Sequence, residues 1–350
     1  MMNFNRYSKQ FRFKFKEAGY SDEEIAACLK YACQLNKSGL PVIFNAEHFS
    51  HLVGYQEYFV LQLSNSKNAY KEFKIPKRNG SMRTIDEPLP SLKEIQDWIL
   101  QNILMPVSSA KVSPFAKAFI KGQNIRDNAK FHRNQDKLIC LDIKDFFPSV
   151  NYKQVFHLFR EFGYSKKVST LLSRLCTYRW CLPQGAPTSP MLSNMIFYGI
   201  DRSISNYCLE RKIRFTRYAD DLTFSGNLMK SSEVIPFVRK ILSKNGFKLN
   251  NNKTKVIGRG RCQEVTGITV NSKLQAARRY RMKIRQEVYY IKRFGIENHI
   301  KRISFSGSTK YYLHHLIGKL NFVLMVNKKD ERAKEDLDFL KLLSSDYDNI

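Results

Sequence analysis

Two adjacent aspartates, Asp220 and Asp221, separate two short runs that are typical of β-strands. The runs cover residues 213–218 and 222–225 and consist mainly of apolar, aromatic and β-branched side chains, which predicts a hairpin with both carboxylates at its turn. A third apolar run, residues 137–143, predicts a buried strand that carries Asp142 near its end. Taken alone, an Asp-Asp pair is more often a simple turn former. Three carboxylates at the ends of buried strands, however, are costly unless they hold a cation.

The elements around these strands predict an α+β fold with helices behind a sheet. Ser21 and Glu24 form a capping-box pattern ahead of a helix to about Asn36. Residues 70–86 predict a hairpin with an Asn-Gly turn at 79–80. Helical periodicity or helix-ending signals mark residues 92–104, 152–162, 190–211 and 232–245, and the chain after about Asn271 is predicted to be helical. No Gly-rich phosphate loop of the G-x-G-x-x-G or G-x-x-x-x-G-K-[ST] kind follows a strand.

The charge of the chain points to a polyanionic partner. The 350 residues include 59 lysines and arginines against 31 acidic residues, a net charge of +28. No apolar run is long enough for a membrane span, and the N-terminus has no apolar signal-peptide core, so we expect no membrane partner. The seven cysteines are scattered, with no C-x-x-C pair. They predict neither a disulfide framework nor a zinc site, and they favour a reducing, cytoplasmic compartment.

Four motifs in a fixed order resemble those of reverse transcriptases. The segment 215–221, Phe-Thr-Arg-Tyr-Ala-Asp-Asp, resembles the family's Y-x-D-D box, and 141–147 resembles its upstream aspartate motif. The segment 182–190, Leu-Pro-Gln-Gly-Ala-Pro-Thr-Ser-Pro, is similar to L-P-Q-G-x-x-x-S-P, and 246–254 is similar to the lysine-bearing motif that follows. The resemblance runs from about residue 70 to 274. It implies a right-hand polymerase fold with fingers, an antiparallel palm sheet and a helical thumb.

The resemblance also implies roles for single residues. Two Mg²⁺ ions are expected on three aspartates, Asp142, Asp220 and Asp221. The incoming deoxynucleotide is expected to meet five side chains, Lys77, Arg78, Arg83, Phe147 and Gln184. In this set Arg83 clamps the triphosphate and Phe147 excludes a ribose 2′-hydroxyl, while the choice between Lys77 and Arg78 as the assisting cation stays open. Lys253 is expected near the leaving pyrophosphate as a possible general acid. The simpler alternatives are a core phenylalanine at 147 and a surface lysine at 253.

Two further motifs resemble those of the bacterial retron enzymes. Residues 128–132, Asn-Ala-Lys-Phe-His, resemble N-A-x-x-H, and residues 265–267, Val-Thr-Gly, resemble the V-T-G motif. The residues expected to act in RNA binding or priming are therefore Asn128, Ala129, His132, Val265, Thr266 and Gly267. A packing or capping role is the alternative for His132. The resemblance implies that a structured noncoding RNA (msr-msd) is copied from an RNA 2′-hydroxyl into branched single-stranded DNA (msDNA), in antiphage defence with a separate effector protein.

The C-terminal part of the sequence predicts an amphipathic helix of the thumb. Tyr280, Ile284 and Ile291 would share one face, and a second face would follow the RNA backbone with Arg278, Arg281, Arg285 and Lys292. After Lys329 the charge balance reverses to seven acidic against three basic residues, and this tail and the segment before Tyr70 are the predicted effector surfaces.

Four regions are predicted along the chain. They are an N-terminal helical extension over 1–69, fingers with the start of the palm over 70–136, the palm over 137–271, and the thumb with the tail over 272–350. A group II intron-like reverse transcriptase is the first alternative, and the expected lack of maturase and DNA-binding regions after the thumb disfavours it. A catalytically inactive RNA-binding scaffold is the second, and the intact aspartates and Gln184 disfavour it.

Overall fold

A computed structural model describes residues 4–77 and 80–348 of the chain, which form an α+β protein. The helices are α1 Phe4–Glu17, α2 Asp22–Lys37, α3 Ala46–Val53, α4 Glu57–Asn65, α5 Pro90–Ile99, α6 Met105–Lys111, α7 Ile125–Lys130, α8 Phe146–Ser149, α9 Tyr152–Glu161, α10 Lys166–Cys176, α11 Ser189–Ile196, α12 Tyr198–Glu210, α13 Ser231–Lys244, α14 Arg278–Phe294, α15 Ile296–Arg302, α16 Thr309–Val326 and α17 Glu331–Asp348. The strands are β1 Tyr70–Pro76, β2 Met82–Pro88, β3 Lys137–Lys144, β4 Arg214–Tyr218, β5 Asp221–Gly226, β6 Lys248–Leu249, β7 Lys255–Gly258, β8 Glu264–Val265, β9 Ile268–Thr269 and β10 Gln275–Ala276.

The chain divides into two compact units, each built from three segments. Unit 1 comprises residues 1–119, 143–204 and 240–248, and unit 2 comprises residues 120–142, 205–239 and 249–350. The four predicted regions cut the chain at other positions and stay a prediction.

Unit 1 is mainly helical and carries one two-stranded hairpin. The predicted capping box is confirmed, because the Ser21 side chain accepts from Glu24 N and the Glu24 side chain accepts from Ser21 N. Strands β1 and β2 pair antiparallel from Tyr70 opposite Pro88 to Pro76 opposite Met82, which confirms the predicted hairpin. Its Asn-Gly turn lies partly outside the described residues, because 78 and 79 are not described.

Unit 2 contains the central antiparallel sheet. β4 pairs with β5, β5 pairs with β3, and β7 pairs with the other edge of the first half of β3. The three strands predicted around the aspartates are therefore confirmed. The core positions of these strands are closed to solvent, with Leu138, Leu141, Leu222 and Phe224 at most 1% exposed. A smaller three-stranded sheet, β8 to β10, leads into the C-terminal helices.

Helices α14 to α17 pack around one apolar cluster in unit 2. Ile284, Val288 and Ile291 of α14 are buried in it together with residues of α16 and α17 such as Leu316 and Leu340. The predicted apolar face of α14 is thus confirmed for Ile284 and Ile291. Within residues 4–77 and 80–348, no helix combines the length and apolar character needed to cross a membrane.

One helix predicted from periodicity is divided in the structure. The run 190–211 forms α11 and α12, which are separated at Phe197. The ring of Phe197 is fully buried and packs 5.0 Å from the Phe146 ring and 4.5 Å from the Phe247 ring, measured between centroids. These partners are distant in sequence, so local periodicity could not reveal why the helix is interrupted there.

Candidate active site

The strand register places two of the three predicted aspartates side by side. Asp142 on β3 is the direct antiparallel partner of Asp221 on β5. Asp220 occupies the two-residue turn before Asp221, together with Ala219, whose φ of 56° lies in the left-handed region that non-glycine residues seldom adopt. The structure therefore gathers the three carboxylates at one end of the sheet of unit 2, and the tight turn holds Asp220 next to the paired strands.

The electrostatics of this end of the sheet favour a cation. Asp142 is only 4% exposed. Partial burial and the carboxylates of Asp220 and Asp142 raise the pKa of Asp221 to about 6, although one side of Asp221 is open to solvent. Like charges at close range disfavour ionisation of one another. A positive charge bound between these carboxylates would offset the repulsion between their ionised forms.

A lysine supplies one positive charge within hydrogen-bonding distance. Lys253 ends a short 3₁₀ turn, residues 251–253, and its Nζ lies 2.7 Å from Oδ2 of Asp142. The hydrogen bond to Asp142 raises the pKa of Lys253, with further support from the neighbouring aspartates. In the described part of the chain no three His, Cys, Asp or Glu side chains form a ready-made cage for a metal ion. The Lys253 ammonium lies against Asp142, and the carboxylate oxygens of the three aspartates are of the donor type that Mg²⁺ prefers.

A cavity of about 350 Å³ opens beside these residues. Its wall includes three residues of the aspartate cluster, Asp142, Asp221 and Lys253, together with Glu264, Thr266 and Gly267. Lys255 of β7 adds a second cation to the same wall. The cavity brings the predicted V-T-G residues to the carboxylates, although they are more than forty residues apart in sequence. Sequence reasoning missed Lys255 and Glu264, because their strands are short and neither residue belongs to a recognised motif.

The V-T-G segment forms a strained hairpin turn. Val265 pairs with Ile268, and the two residues between them, Thr266 and Gly267, have φ values of 48° and 81°. Glycine adopts such angles readily, whereas a β-branched threonine does so at a cost. Val265 anchors the turn, since it is 1% exposed and shares an apolar cluster with Leu138 and with Ala129 of the N-A-x-x-H motif. The two motifs therefore pack against each other.

The N-A-x-x-H segment holds the β4–β5 hairpin by hydrogen bonds from buried side chains. His132 Nδ1 lies 2.8 Å from Ser225 Oγ on β5, and its Nε2 lies 2.8 Å from Thr216 Oγ1 on β4. Thr216 donates its hydroxyl proton to Asn128 Oδ1 over 2.6 Å, so its oxygen must accept from His132 Nε2–H. Asn128, Ala129 and His132 are each fully buried, so any effect on RNA would be indirect. Sequence reasoning missed Thr216 and Ser225, whose signal is a polar side chain within an apolar strand.

The buried imidazole predicts an acid-dependent loss of stability. Burial, together with the charge of Arg214, lowers the pKa of His132 to about 3, against about 6.5 in an unfolded chain. Between these two pKa values the unfolded state binds the proton and the folded state does not. The contribution of His132 to the free energy of unfolding is therefore complete above pH 6.5 and declines as the pH falls. Chemical denaturation at about pH 7.5 and about pH 5 should show a loss of about 2 kcal/mol from this residue.

Replacement by glutamine provides the check on this stability prediction. His132→Gln should lower stability at about pH 7.5 and should lack that part of the pH dependence. His51→Gln, at an exposed position of α3, should keep the wild-type slope. An unchanged slope in His132→Gln would show that the imidazole is not held neutral in the folded protein.

The residues predicted for nucleotide binding lie in unit 1. The backbone of Asp86 on β2 donates to Gln184 O over 2.9 Å. Gly185 has a φ of 145°, and a Cβ built on it would lie 2.7 Å from Asp86 O, so only glycine allows this approach. Gln184 is thereby fixed to the hairpin that carries Arg83, which is exposed. Lys77 is also exposed at the end of the first strand, and Arg78 lies outside the described residues.

Phe147 is the second residue of the short helix α8, which follows β3 in the chain. Asp145 precedes this helix, and its φ of 46° turns the chain sharply. The ring of Phe147 is only partly buried and lies 5.4 Å from the Phe146 ring and 6.2 Å from the Phe119 ring. By contrast, Phe146 is only 5% exposed. The exposed part of the Phe147 ring is compatible with contact to a ligand. The exclusion of a ribose 2′-hydroxyl by Phe147 stays a prediction.

The predicted basic face of α14 is partly covered within unit 2. Arg281 and Arg285 lie 3.8 Å and 3.6 Å from the carboxylate of Asp330, and Lys292 lies 2.7 Å from Asp336 of α17. Arg278 is exposed. The acidic tail thus neutralises part of the basic helix, which the sequence pattern did not indicate. RNA contact by Arg278, Arg281 and Arg285 stays a prediction.

Comparisons with known proteins identify what this chain is similar to. A family model described as reverse transcriptase (RNA-dependent DNA polymerase) matches residues 75–286. The retron Ec86 reverse transcriptase of Escherichia coli is 34% identical over 304 residues, covering 85% of this chain and 90% of that protein. The retron Mx65 reverse transcriptase of Myxococcus xanthus is 32% identical over 319 residues, covering 84% and 71%. A solved telomerase from Candida albicans aligns with a TM-score of 0.46 and 12% identity, covering 78% and 63%.

Proposed function

The chain belongs to the reverse transcriptase family as a retron-type RNA-directed DNA polymerase with the right-hand fold, and from this premise we propose that it makes branched DNA on its own noncoding RNA. In this proposal the substrates are deoxynucleotides and a structured msr-msd RNA, one of whose 2′-hydroxyls serves as the primer. The product is single-stranded DNA that stays joined to the RNA. The observation that carries the proposal is the pairing of Asp142 with Asp221 in a cavity that also contains the V-T-G turn.

The three aspartates would hold two Mg²⁺ ions. When bound, these ions would supply Lewis-acid activation of the attacking hydroxyl and neutralise charge on the pyrophosphate. The strand register that pairs Asp142 with Asp221 and the turn that carries Asp220 support this assignment. Lys253 holds its proton at Nζ, because Asp142 raises its pKa. It could therefore donate that proton to the leaving pyrophosphate.

The V-T-G turn is proposed to hold the primer end at the carboxylates. Thr266 and Gly267 line the same cavity as Asp142 and Asp221, which supports a contact with the sugar or phosphate of the priming nucleotide. Asn128, Ala129 and His132 would act on priming from a distance. Through Ala129 they pack against Val265, and through His132 they bind both strands of the catalytic hairpin.

Antiphage defence would require a second protein in this proposal. The effector is proposed to be a separate polypeptide that docks on this chain or on its RNA–DNA product. Exposed parts of the helical segment before Tyr70 remain one proposed surface. On the acidic tail, Asp330 and Asp336 already bind α14, which leaves the outer side of α17 for a partner.

Purification of the natively expressed protein tests the proposed function. Its nucleic acid should be DNA joined to RNA. Primer extension along the RNA should stop at the branched nucleotide and should read through it only after enzymatic debranching, which also releases the DNA as a linear strand. The Asp220→Ala/Asp221→Ala double variant should carry RNA alone. Recovery of only linear RNA or linear DNA with the active protein would contradict branched priming. Mass spectrometry of the same sample should identify a co-purified effector. Protection of cells from phage by this chain and its RNA alone would contradict the proposal of a separate effector.

A further inference from the structure

A tight turn in unit 1 places an exposed tryptophan in a strained backbone. Tyr178 and Cys181 exchange both backbone hydrogen bonds, at 2.9 Å and 3.0 Å. The two residues between them, Arg179 and Trp180, have φ values of 50° and 66°. Turns of this shape usually carry Gly, Asn or Asp at both central positions. Non-glycine residues persist in such conformations when surrounding contacts impose them, and they concentrate at functional sites.

Several contacts within unit 1 hold this turn in place. Trp180 O accepts from Tyr152 N over 2.8 Å, and Leu182 N donates to Val150 O over 3.0 Å. The Tyr178 ring packs 4.5 Å from the ring of Tyr70 on β1. The turn is therefore fixed on both sides. It leads directly into the segment 182–185, which carries Gln184.

The two central side chains of the turn point toward solvent. Trp180 is 69% exposed, and its ring lies 5.5 Å from the Tyr152 ring, measured between centroids, at an interplanar angle of 88°. Arg179 lies over the Tyr178 ring at 4.9 Å and forms an ion pair with Glu72 at 3.1 Å. Tryptophan is a large apolar side chain, so a fixed, exposed indole is informative about binding.

A cavity of about 270 Å³ lies beside the indole and combines aromatic with basic side chains. Three rings line it, those of Tyr152, Tyr178 and Trp180, and three cations line it, those of Lys67, Arg174 and Arg179. No carboxylate belongs to the described wall of this cavity. Arg174 donates to Asn65 Oδ1 over 2.6 Å, which fixes the guanidinium at the cavity edge.

This combination matches the chemistry of single-stranded nucleic acid. Unpaired bases stack on aromatic rings, and their phosphates are bound by nearby cations. The cavity is slightly smaller than the ~300–1,000 Å³ of drug-sized ligand sites, which suits one base better than a larger group. Arg179 is paired with Glu72, but an apolar protein anchor would not require the two further cations, Lys67 and Arg174, on a wall that has no carboxylate among its described residues.

We propose that this cavity binds one unpaired base of RNA, stacked on Trp180, with the adjoining phosphates at Lys67 and Arg174. The inference rests on the proposed function in taking RNA as the ligand, but it concerns residues outside the predicted catalytic set. The base could come from the unpaired template or from a loop of the structured RNA. Both sources present the same chemistry.

Tryptophan fluorescence provides a direct test, because the chain contains only two tryptophans. Trp98 is half-buried against Phe49. Trp98→Phe leaves Trp180 as the only indole, and Trp180→Phe leaves Trp98. Single-stranded oligouridylate should quench the first variant and leave the second nearly unchanged, whereas a blunt RNA duplex should quench neither. Absence of quenching in Trp98→Phe, or equal quenching in both variants, would overturn the proposal.

Affinity measurements distinguish the effect of the Trp180 ring on RNA binding from the effect of the strained backbone at this position. Trp180→Ala should weaken binding of the oligouridylate about 5- to 100-fold, as for loss of one stacked base. Trp180→Phe should stay within a few-fold of wild type, because it retains a stacking surface. Trp180→Gly relieves the strained φ and removes the ring, so it should fold at least as well as Trp180→Ala and bind as weakly. Wild-type affinity in Trp180→Gly would overturn the proposal.

Two further experiments identify which part of the RNA supplies the base and test whether binding at this site is independent of DNA synthesis. If the template supplies it, Trp180→Ala should raise the KM for a primed template with a long 5′ overhang, but not for one with a single-nucleotide overhang. If a structured loop supplies it, Trp180→Ala should weaken binding of the cognate RNA and leave both KM values unchanged. No effect on the KM values or on binding of the cognate RNA would overturn the proposal. The Asp220→Ala/Asp221→Ala variant should keep the quenching. A failure of DNA synthesis is thereby distinguishable from a failure of this site.

Discussion

Replacing Asp220 and Asp221 together with alanine should abolish DNA synthesis while RNA binding persists. The change removes two of the three carboxylates at the end of the β3–β5 pair and leaves Asp142 beside Lys253. Too few ligands would remain for two metal ions, so we expect a loss of at least about 10³-fold, equivalent to about 4 kcal/mol of barrier. Primer extension on an annealed RNA template measures the activity, and filter binding measures RNA affinity.

The matched control is an aspartate at the opposite end of the same strand. Asp136 lies just before β3, is exposed and pairs with Arg259 at 3.1 Å. Asp136→Asn should keep near wild-type extension, because surface ion pairs contribute little. Removing carboxylates that repel one another should not destabilise the double variant. Normal extension by the double variant would refute the assignment of these aspartates as metal ligands.

Replacing Phe147 with alanine should open the nucleotide site to ribonucleotides. If its partly exposed ring occupies the space of a 2′-hydroxyl, the smaller side chain removes a steric clash. A buried steric term of about 1–3 kcal/mol corresponds to a 10- to 100-fold change in the preference for deoxynucleotides. Single-nucleotide incorporation with dNTP and NTP pairs measures the ratio of kcat/KM values.

A graded series tests whether ring size is the cause. Phe147→Tyr keeps the ring and should keep the discrimination, while Phe147→Val should give an intermediate ratio. Phe146 offers the contrast, since it is only 5% exposed and packs against Phe197. Phe146→Leu should therefore lower stability without changing sugar choice. If Phe147→Ala leaves the ratio of kcat/KM for dNTP and NTP unchanged, Phe147 has a purely structural role.

The sequence alone determined the strands, the motifs and the family of this protein. Short runs of apolar, aromatic and β-branched residues predicted β4, β5 and β3, because the burial of a strand is encoded locally. The Ser21–Glu24 capping box and the β1–β2 hairpin were predictable for the same reason, since their signals span only a few residues. The four motifs required no structure, because they are read from residue identity and order.

The tertiary structure decided which side chains meet. Only the strand register shows that Asp142 opposes Asp221, and only the fold brings His132 to Thr216 and Ser225. The acidic tail covers part of the basic face of α14 through Asp330 and Asp336. The sequence shows that the tail is acidic and the helix basic, but it does not show that the two segments pair with each other. Each of these contacts joins residues about 40 or more positions apart. Local propensity carries no information about such pairs, because their energy arises only after the chain has folded.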